Sequence, residues 1–175
     1  MSLRIAALGL LVRHPGSGYD LLKRFQKSMA NVWPATQSQL YGELNKLADS
    51  GMIEVSDVGP RGRKEYRVTE AGHAELLRWI TNPQDDPPWR RPDLLRVFLL
   101  GQIPAEDARK YVATFVEHAE SELKRLEHLR DSIDWDNGQG DFYGRAALEY
   151  GLRHSAMEGE WARWLIRAID ERARI

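Results

Sequence analysis

The stretch Thr36-Gln37-Ser38-Gln39-Leu40-Tyr41-Gly42-Glu43-Leu44-Asn45-Lys46-Leu47 carries two signals at once. Thr36 followed three residues later by Gln39 has the spacing and residue types of a capping box, and Leu40, Leu44 and Leu47 recur at the intervals of one helix face. The pattern predicts a helix from about Thr36 to Ser50, stopped by Gly51. If the leucines face a core, helical geometry turns Ser38, Tyr41, Gly42 and Asn45 outward. A strip that is polar, small and nearly uncharged suits an approach to base edges, and the open N–H groups at the helix start suit a phosphate. The competing reading is an ordinary solvated face.

Upstream, an apolar segment from Leu3 to Val12 ends at His14, Pro15 and Gly16. Ser17 with Asp20 reads as a second cap, opening a helix that buries Leu21, Leu22, Phe25 and Met29 before a break at Trp33-Pro34. Downstream, Met52 to Val58 and Lys64 to Val68 alternate as strands, with Ile53, Val55, Tyr66 and Val68 as the apolar positions. The turn between them, Gly59-Pro60-Arg61-Gly62-Arg63, is basic and glycine-rich. Thr69 and Glu70 then open a helix through Leu76, Leu77 and Ile80. Three helices, a basic hairpin and a further helix are the order of a winged helix-turn-helix. The DNA-contacting set read from this is Thr36, Gln37, Ser38, Gln39, Tyr41, Gly42, Asn45 and Lys46 on the helix, with Arg61, Arg63 and Lys64 on the wing.

The segment Thr81 to Pro92 holds Pro83, Pro87, Pro88 and Pro92, a density that neither helix nor strand tolerates. We divide the chain there into a winged helix-turn-helix domain over 1–81, a proline-rich linker over 82–92 and a helical dimerisation domain over 93–175. Residues 1–81 carry 11 Lys+Arg against 8 Asp+Glu, residues 82–175 carry 14 against 18, so an anion-binding surface belongs in the first part.

Beyond the linker the chain reads as mainly α. A short helix covers Leu94 to Leu100, and a long one after Ile103-Pro104 carries Val112, Phe115, Ala119, Leu126, Leu129 and Ile133 as a heptad seam broken by Glu122. Asp136 to Gly140 form a turn, and Phe142 to about Arg172 is helical again. Two helices of about 30 residues are each about 45 Å long, more than one small domain buries, so a second copy is expected to cover them. The expected dimerisation residues are Val112, Phe115, Ala119, Leu126, Trp161, Leu165 and Ile169, and Phe142, Tyr150, Trp161 and Trp164 read first as further dimer packing and second as a candidate effector pocket.

Catalytic and metal chemistry find little support. The 175 residues contain no cysteine, which removes disulfides, thiolate metal sites and Cys nucleophiles together and fits a reducing, cytoplasmic compartment. Gly16-Ser17-Gly18 lacks the glycine spacing of a nucleophile elbow. His154 with Glu158 is a single i, i+4 pair, His118 and His128 are ten apart, and Asp134-Asp136-Gly138 fails as a calcium loop at its fifth position. The apolar run from Ile5 to Val12 is too short to cross a bilayer. We expect no cofactor, no metal, no membrane partner and no enzymatic activity.

The segments Gly18-Tyr19-Asp20-Leu21-Leu22, Trp33-Pro34, Ser38-Gln39-Leu40-Tyr41-Gly42-Glu43-Leu44, Gly51-Met52-Ile53 and Tyr66-Arg67-Val68-Thr69-Glu70-Ala71-Gly72 resemble the PadR family of transcriptional regulators. Arg96-Val97-Phe98-Leu99 before Gly101, the long helix and Glu160-Trp161 resemble the virulence-activator-type C-terminal domain of its long-tailed subfamily. The resemblance implies a homodimer clasped by its C-terminal helices, binding to a double-stranded DNA operator through the Ser38 to Asn45 helix and the wing, and often repression relieved by a small aromatic ligand. Many members carry Pro where Gly42 stands here. The alternative is a protein-interaction adaptor using a winged helix without DNA, against which the Arg61, Arg63, Lys64 tip argues.

Overall fold

The computed structural model describes residues 2–59, 63–82, 90–135 and 139–173. They fall into two compact units, Met1–Pro88 and Trp89–Ile175. The proline-rich residues 83–89, the wing tip at 60–62 and the turn at 136–138 lie outside the described residues.

In the first unit, helix α1 (Ser2–Arg13) has no strongly polar side over its middle and is covered from several directions by the elements that follow. Ile5, Ala7, Leu8, Leu10 and Leu11 are all buried. The two-residue strand β1 (Gly16–Ser17) leads into α2 (Gly18–Lys27), whose start is closed by a reciprocal cap between Ser17 and Asp20. Leu21, Leu22 and Phe25 enter the core from α2. Met29 does not belong to that helix, because the chain tightens at Ser28 into a 3-10 turn over Met29–Asn31, from which Met29 packs against the core only in part.

Helix α3 (Gln37–Asp49) begins at the Thr36 cap and buries Leu40, Leu44 and Leu47, each worth about 1.5–3 kcal/mol of hydrophobic stabilisation. It ends in a Schellman motif: Gly51 adopts φ 69°, and the Met52 and Gly51 amides donate to the Leu47 and Ala48 carbonyls. Strands β2 (Ile53–Gly59) and β3 (Arg63–Val68) pair antiparallel, and β1 adds to the free edge of β3, giving the order β1-β3-β2. The strand at Gly16–Ser17 replaces the plain turn expected at Gly16. A bulge between Val55 and Asp57 interrupts the hairpin, and Val55 is exposed while Ile53 is buried, because only the base of the hairpin lies against the helices.

Helix α4 (Glu70–Thr81) is capped by Thr69, whose hydroxyl accepts from the Gly72 amide and donates toward the Gly51 and Met52 carbonyls. A Cβ on Gly72 would sit 2.1 Å from the Met52 carbonyl oxygen, so only glycine permits the first turn of α4 to lie this close to the chain leaving α3. Leu76 is buried, but Leu77 and Ile80 are exposed, outside the stripe of Gly72 and Leu76 that meets the core of this unit.

The second unit is helical throughout its described residues: α5 (Pro92–Leu99), a 3-10 turn at Leu100–Gln102, α6 (Ala105–Ser132) and α7 (Gln139–Arg172). Contacts pair Arg109 with Asp170, Phe115 with Trp161, Glu120 with Arg163 and Leu126 with the Gly151 position, so α6 and α7 run antiparallel as a hairpin. Val112, Ala119 and Leu126 on α6 and Leu152, Ser155, Gly159 and Ala162 on α7 are buried along the seam, with Ala119 against the Gly159 position and Leu126 against Gly151. Of the expected dimerisation residues, Val112, Ala119 and Leu126 are instead buried within one subunit by α7, and Phe115 meets Trp161 edge-on at 5.7 Å. Leu165 and Ile169 are half-buried in the same hairpin. A heptad seam announces a partner helix without saying which one, and here the partner is the next in the chain.

Candidate nucleic-acid interface

The candidate surface is built from the cap of α3 outward. Thr36 N–H donates to Gln39 Oε1 at 2.8 Å, and the Gln39 amide donates to Thr36 Oγ1 at 3.2 Å. That fixes the helix start while leaving the amides of Gln37 and Ser38 in its open first turn. Gln37, Ser38, Tyr41, Asn45 and Lys46 are exposed and Gly42 is half-exposed, on the face opposite the buried leucines. Among these, Gln39 is committed through its carbonyl oxygen to the cap, and Lys46 Nζ lies 2.7 Å from Glu43 on the preceding turn.

Tyr41 is tied to its surroundings more closely than helical spacing suggests. It is 36% exposed, and a Cβ on Gly18 would come within 2.8 Å of its ring. Gly18 at the first position of α2 makes room for the phenol ring, so Tyr41 bridges α2 and α3.

On the wing, Arg63 and Lys64 open β3 and are exposed, while Arg61 lies outside the described residues. Arg63 Nη2 donates to Asp20 Oδ2 at 2.5 Å. Asp20 also accepts from the Ser17 hydroxyl at 2.7 Å and the Ser17 amide at 3.2 Å. The Ser17 hydroxyl, outweighing burial, and then the Ser17 amide and Arg63 hold the Asp20 carboxyl below its ordinary range. Asp20 is thus the anchor that the sequence reading missed. Its cap role is legible from spacing, but a partner 43 residues away leaves no local signal.

In the second unit the four candidate effector residues do not converge. Phe142 and Trp164 are 22 positions apart on one helix, about 33 Å, and Trp161 packs on Phe115 while Tyr150 stacks loosely on His154. Phe142 instead lines an open groove with Arg130, Trp135 and Arg145, the Arg145 guanidinium lying over the Trp135 ring at 5.2 Å. Helix α5 is held at its start by Arg91, which pairs with Asp93 and with Glu158 on α7 at 3.3 Å. Its face of Leu94, Leu95, Phe98 and Leu99 is exposed, Phe98 to 86%.

Comparison with known proteins places this arrangement. Residues 7–78 match the model of the transcriptional regulator PadR-like family, and residues 89–170 match that of the virulence activator alpha C-terminal domain. The chain belongs to the PadR-like family. It is 36% identical over 86 residues to the probable transcriptional regulator Rv1176c of Mycobacterium tuberculosis, a match that spans 47% of this chain and 46% of that relative. To the negative transcriptional regulator PadR of Bacillus subtilis it is 29% identical over 129 residues, 71% of each chain. The crystal structure of that PadR in complex with operator DNA superposes with a TM-score of 0.80 at 25% identity, covering 97% of this chain and 99% of the other. Its complex with p-coumaric acid superposes with a TM-score of 0.82 over the same extents. This PadR-like chain is therefore a transcriptional regulator with a winged helix-turn-helix and a long-helix C-terminal unit. Among the described residues no helix is long and apolar enough to cross a membrane, and no group of three or more His, Asp or Glu is placed to hold a metal.

Proposed function

We propose that this PadR-like regulator binds an operator duplex as a homodimer and represses transcription in the cytoplasm without catalytic activity. The observation that carries the reading is the exposed, nearly uncharged face of Ser38, Tyr41, Gly42 and Asn45 on a helix whose opposite face is locked into the core. An α-helix with such a face fits the major groove of B-DNA, and Arg63 and Lys64 at the base of the wing supply phosphate contacts beside it. Asp20 orients Arg63 through their ion pair. The homodimer is supported by the apolar face of α5, because a short helix exposing Leu94, Leu95, Phe98 and Leu99 gains by covering them with a second copy. Repression, and release by a small aromatic acid, are supported by the likeness to the Bacillus subtilis negative regulator and its p-coumaric acid complex.

The test is direct binding. Fluorescence anisotropy with labelled duplexes should show affinity that falls steeply with salt and a subset of sequences enriched from a random pool. A dimeric protein with no affinity for any duplex at low salt would overturn the reading in favour of a protein-binding adaptor.

A further inference from the structure

Gly42 sits in the middle of α3, where glycine weakens a helix relative to alanine. Among the other described α-helix glycines, a Cβ would crowd the Met52 carbonyl at Gly72, the Tyr41 ring at Gly18 and Leu126 at Gly151, and would meet ordinary contacts with Ala119 at Gly159, Met29 at Gly9 and Trp135 at Gly144; Gly101, in the 3-10 turn after α5, is open as Gly42 is. Nothing lies within 4 Å of that position at Gly42, and its φ is not in the left-handed region. Neither packing nor backbone conformation within the subunit accounts for the missing side chain.

Its place on the helix does. Gly42 lies one turn after Ser38 and one turn before Asn45, on the line that points farthest from Leu40, Leu44 and Leu47. A helix with its side chains is about 10–12 Å across, and the major groove is about 12 Å wide and about 8.5 Å deep. A full side chain at the centre of the leading face therefore holds the helix axis away from the base pairs, and short residues such as Ser38 and Asn45 then fall short of them. We infer that Gly42 is a clearance position, kept empty so that α3 seats deeply enough in the groove for Ser38 and Asn45 to reach base edges. The inference rests on the DNA-binding reading above and adds to it a positioning residue that sets sequence discrimination through depth, with no contact of its own.

The inference predicts opposite signs for folding and for recognition. Gly42→Ala should raise the melting temperature by about 4 °C, as removal of an uncompensated helix glycine does. The same variant should lose about tenfold in affinity for the duplex that the parent chain enriches from a random pool, within the range of one spoiled base-pair contact. Affinity for a random-sequence duplex should stay within about twofold, since phosphate contacts dominate there. Gly42→Leu should lose more discrimination than Gly42→Ala. A Gly42→Ala protein that melts higher yet binds the enriched duplex as the parent does overturns the inference alone, and one that melts lower overturns the claim that the subunit does not need the glycine. A parent chain that enriches no duplex overturns the DNA-binding reading, and this inference falls with it.

Discussion

Arg63 and Asp20 are 43 residues apart in sequence and 2.5 Å apart in space, and their ion pair ties the base of the wing to the first turn of α2. Both side chains are partly exposed, so the pair adds little to stability, of order 0–1 kcal/mol. Its effect is directional: it fixes one of the wing's cations beside the helix-turn-helix before any anion arrives.

The wing is where salt dependence should respond. In a dimer, the double variant Arg63→Ala, Lys64→Ala removes up to four phosphate contacts and should flatten the slope of log affinity against log salt by about 3–4. Sequence preference should change less than affinity. An unchanged slope with normal binding would mean that these residues do not touch DNA.

Asp20 also sets an acid-side prediction. Its carboxyl is held below the usual carboxylate range chiefly by the Ser17 hydroxyl, and Asp93 is likewise lowered, chiefly by its hydrogen bond from Arg91. A carboxyl with a depressed folded-state pKa contributes stability that is present above the unfolded value of about 3.9 and lost as pH falls through the lower folded one. Urea denaturation at successive pH values should therefore show stability falling below about pH 4, and Asp20→Asn should reduce that fall. An identical pH profile in the variant would show that the Ser17 and Arg63 contacts do not persist in solution.

Two apolar substitutions should separate folding from association. Leu126→Asp places a charge in the buried seam between α6 and α7 and should unfold the second unit. Phe98→Asp, on the exposed face of α5, should leave the helical circular dichroism intact and shift the mass measured by light scattering from dimer toward monomer. A Phe98→Asp protein that remains fully dimeric would move the interface elsewhere.

On α3, Asn45→Ala should weaken specific binding without changing stability, because Asn45 is exposed. Tyr41→Ala should weaken binding and also cost about 1 kcal/mol of stability, because the ring lies against Gly18. Thermal melts run beside the binding titrations distinguish the two.

Gly72→Ala should be among the most damaging small changes in the chain, about 2–3 kcal/mol or more by chemical denaturation. The added methyl meets a backbone carbonyl that cannot rotate away. Wild-type stability in that variant would mean that α4 shifts freely.

What the sequence disclosed was local. The boxes Ser17/Asp20 and Thr36/Gln39, the leucine face of α3 and the Gly51 stop are written within a few residues of one another, and each is present in the structure. Pairings over distance were harder to see. The strand at Gly16–Ser17 has two residues and no period to detect, and Leu77 and Ile80 look like core because amphipathic spacing does not tell how wide the buried stripe is. The seam on α6 is legible as a seam, yet neither helix length nor heptad spacing reveals that α7 folds back to bury Val112, Ala119 and Leu126. Aromatic residues on α7 share a helix but are spread along its length.

The hydroxyl of Thr69 reaches the Gly51 carbonyl at 2.7 Å and the Met52 carbonyl at 3.1 Å, and the Thr69 amide also donates to Met52. The two ends of the hairpin therefore meet at one clasp, which also joins the stop of α3 at Gly51 to the cap of α4 at Thr69. A push on the wing is passed to both helices at that single point.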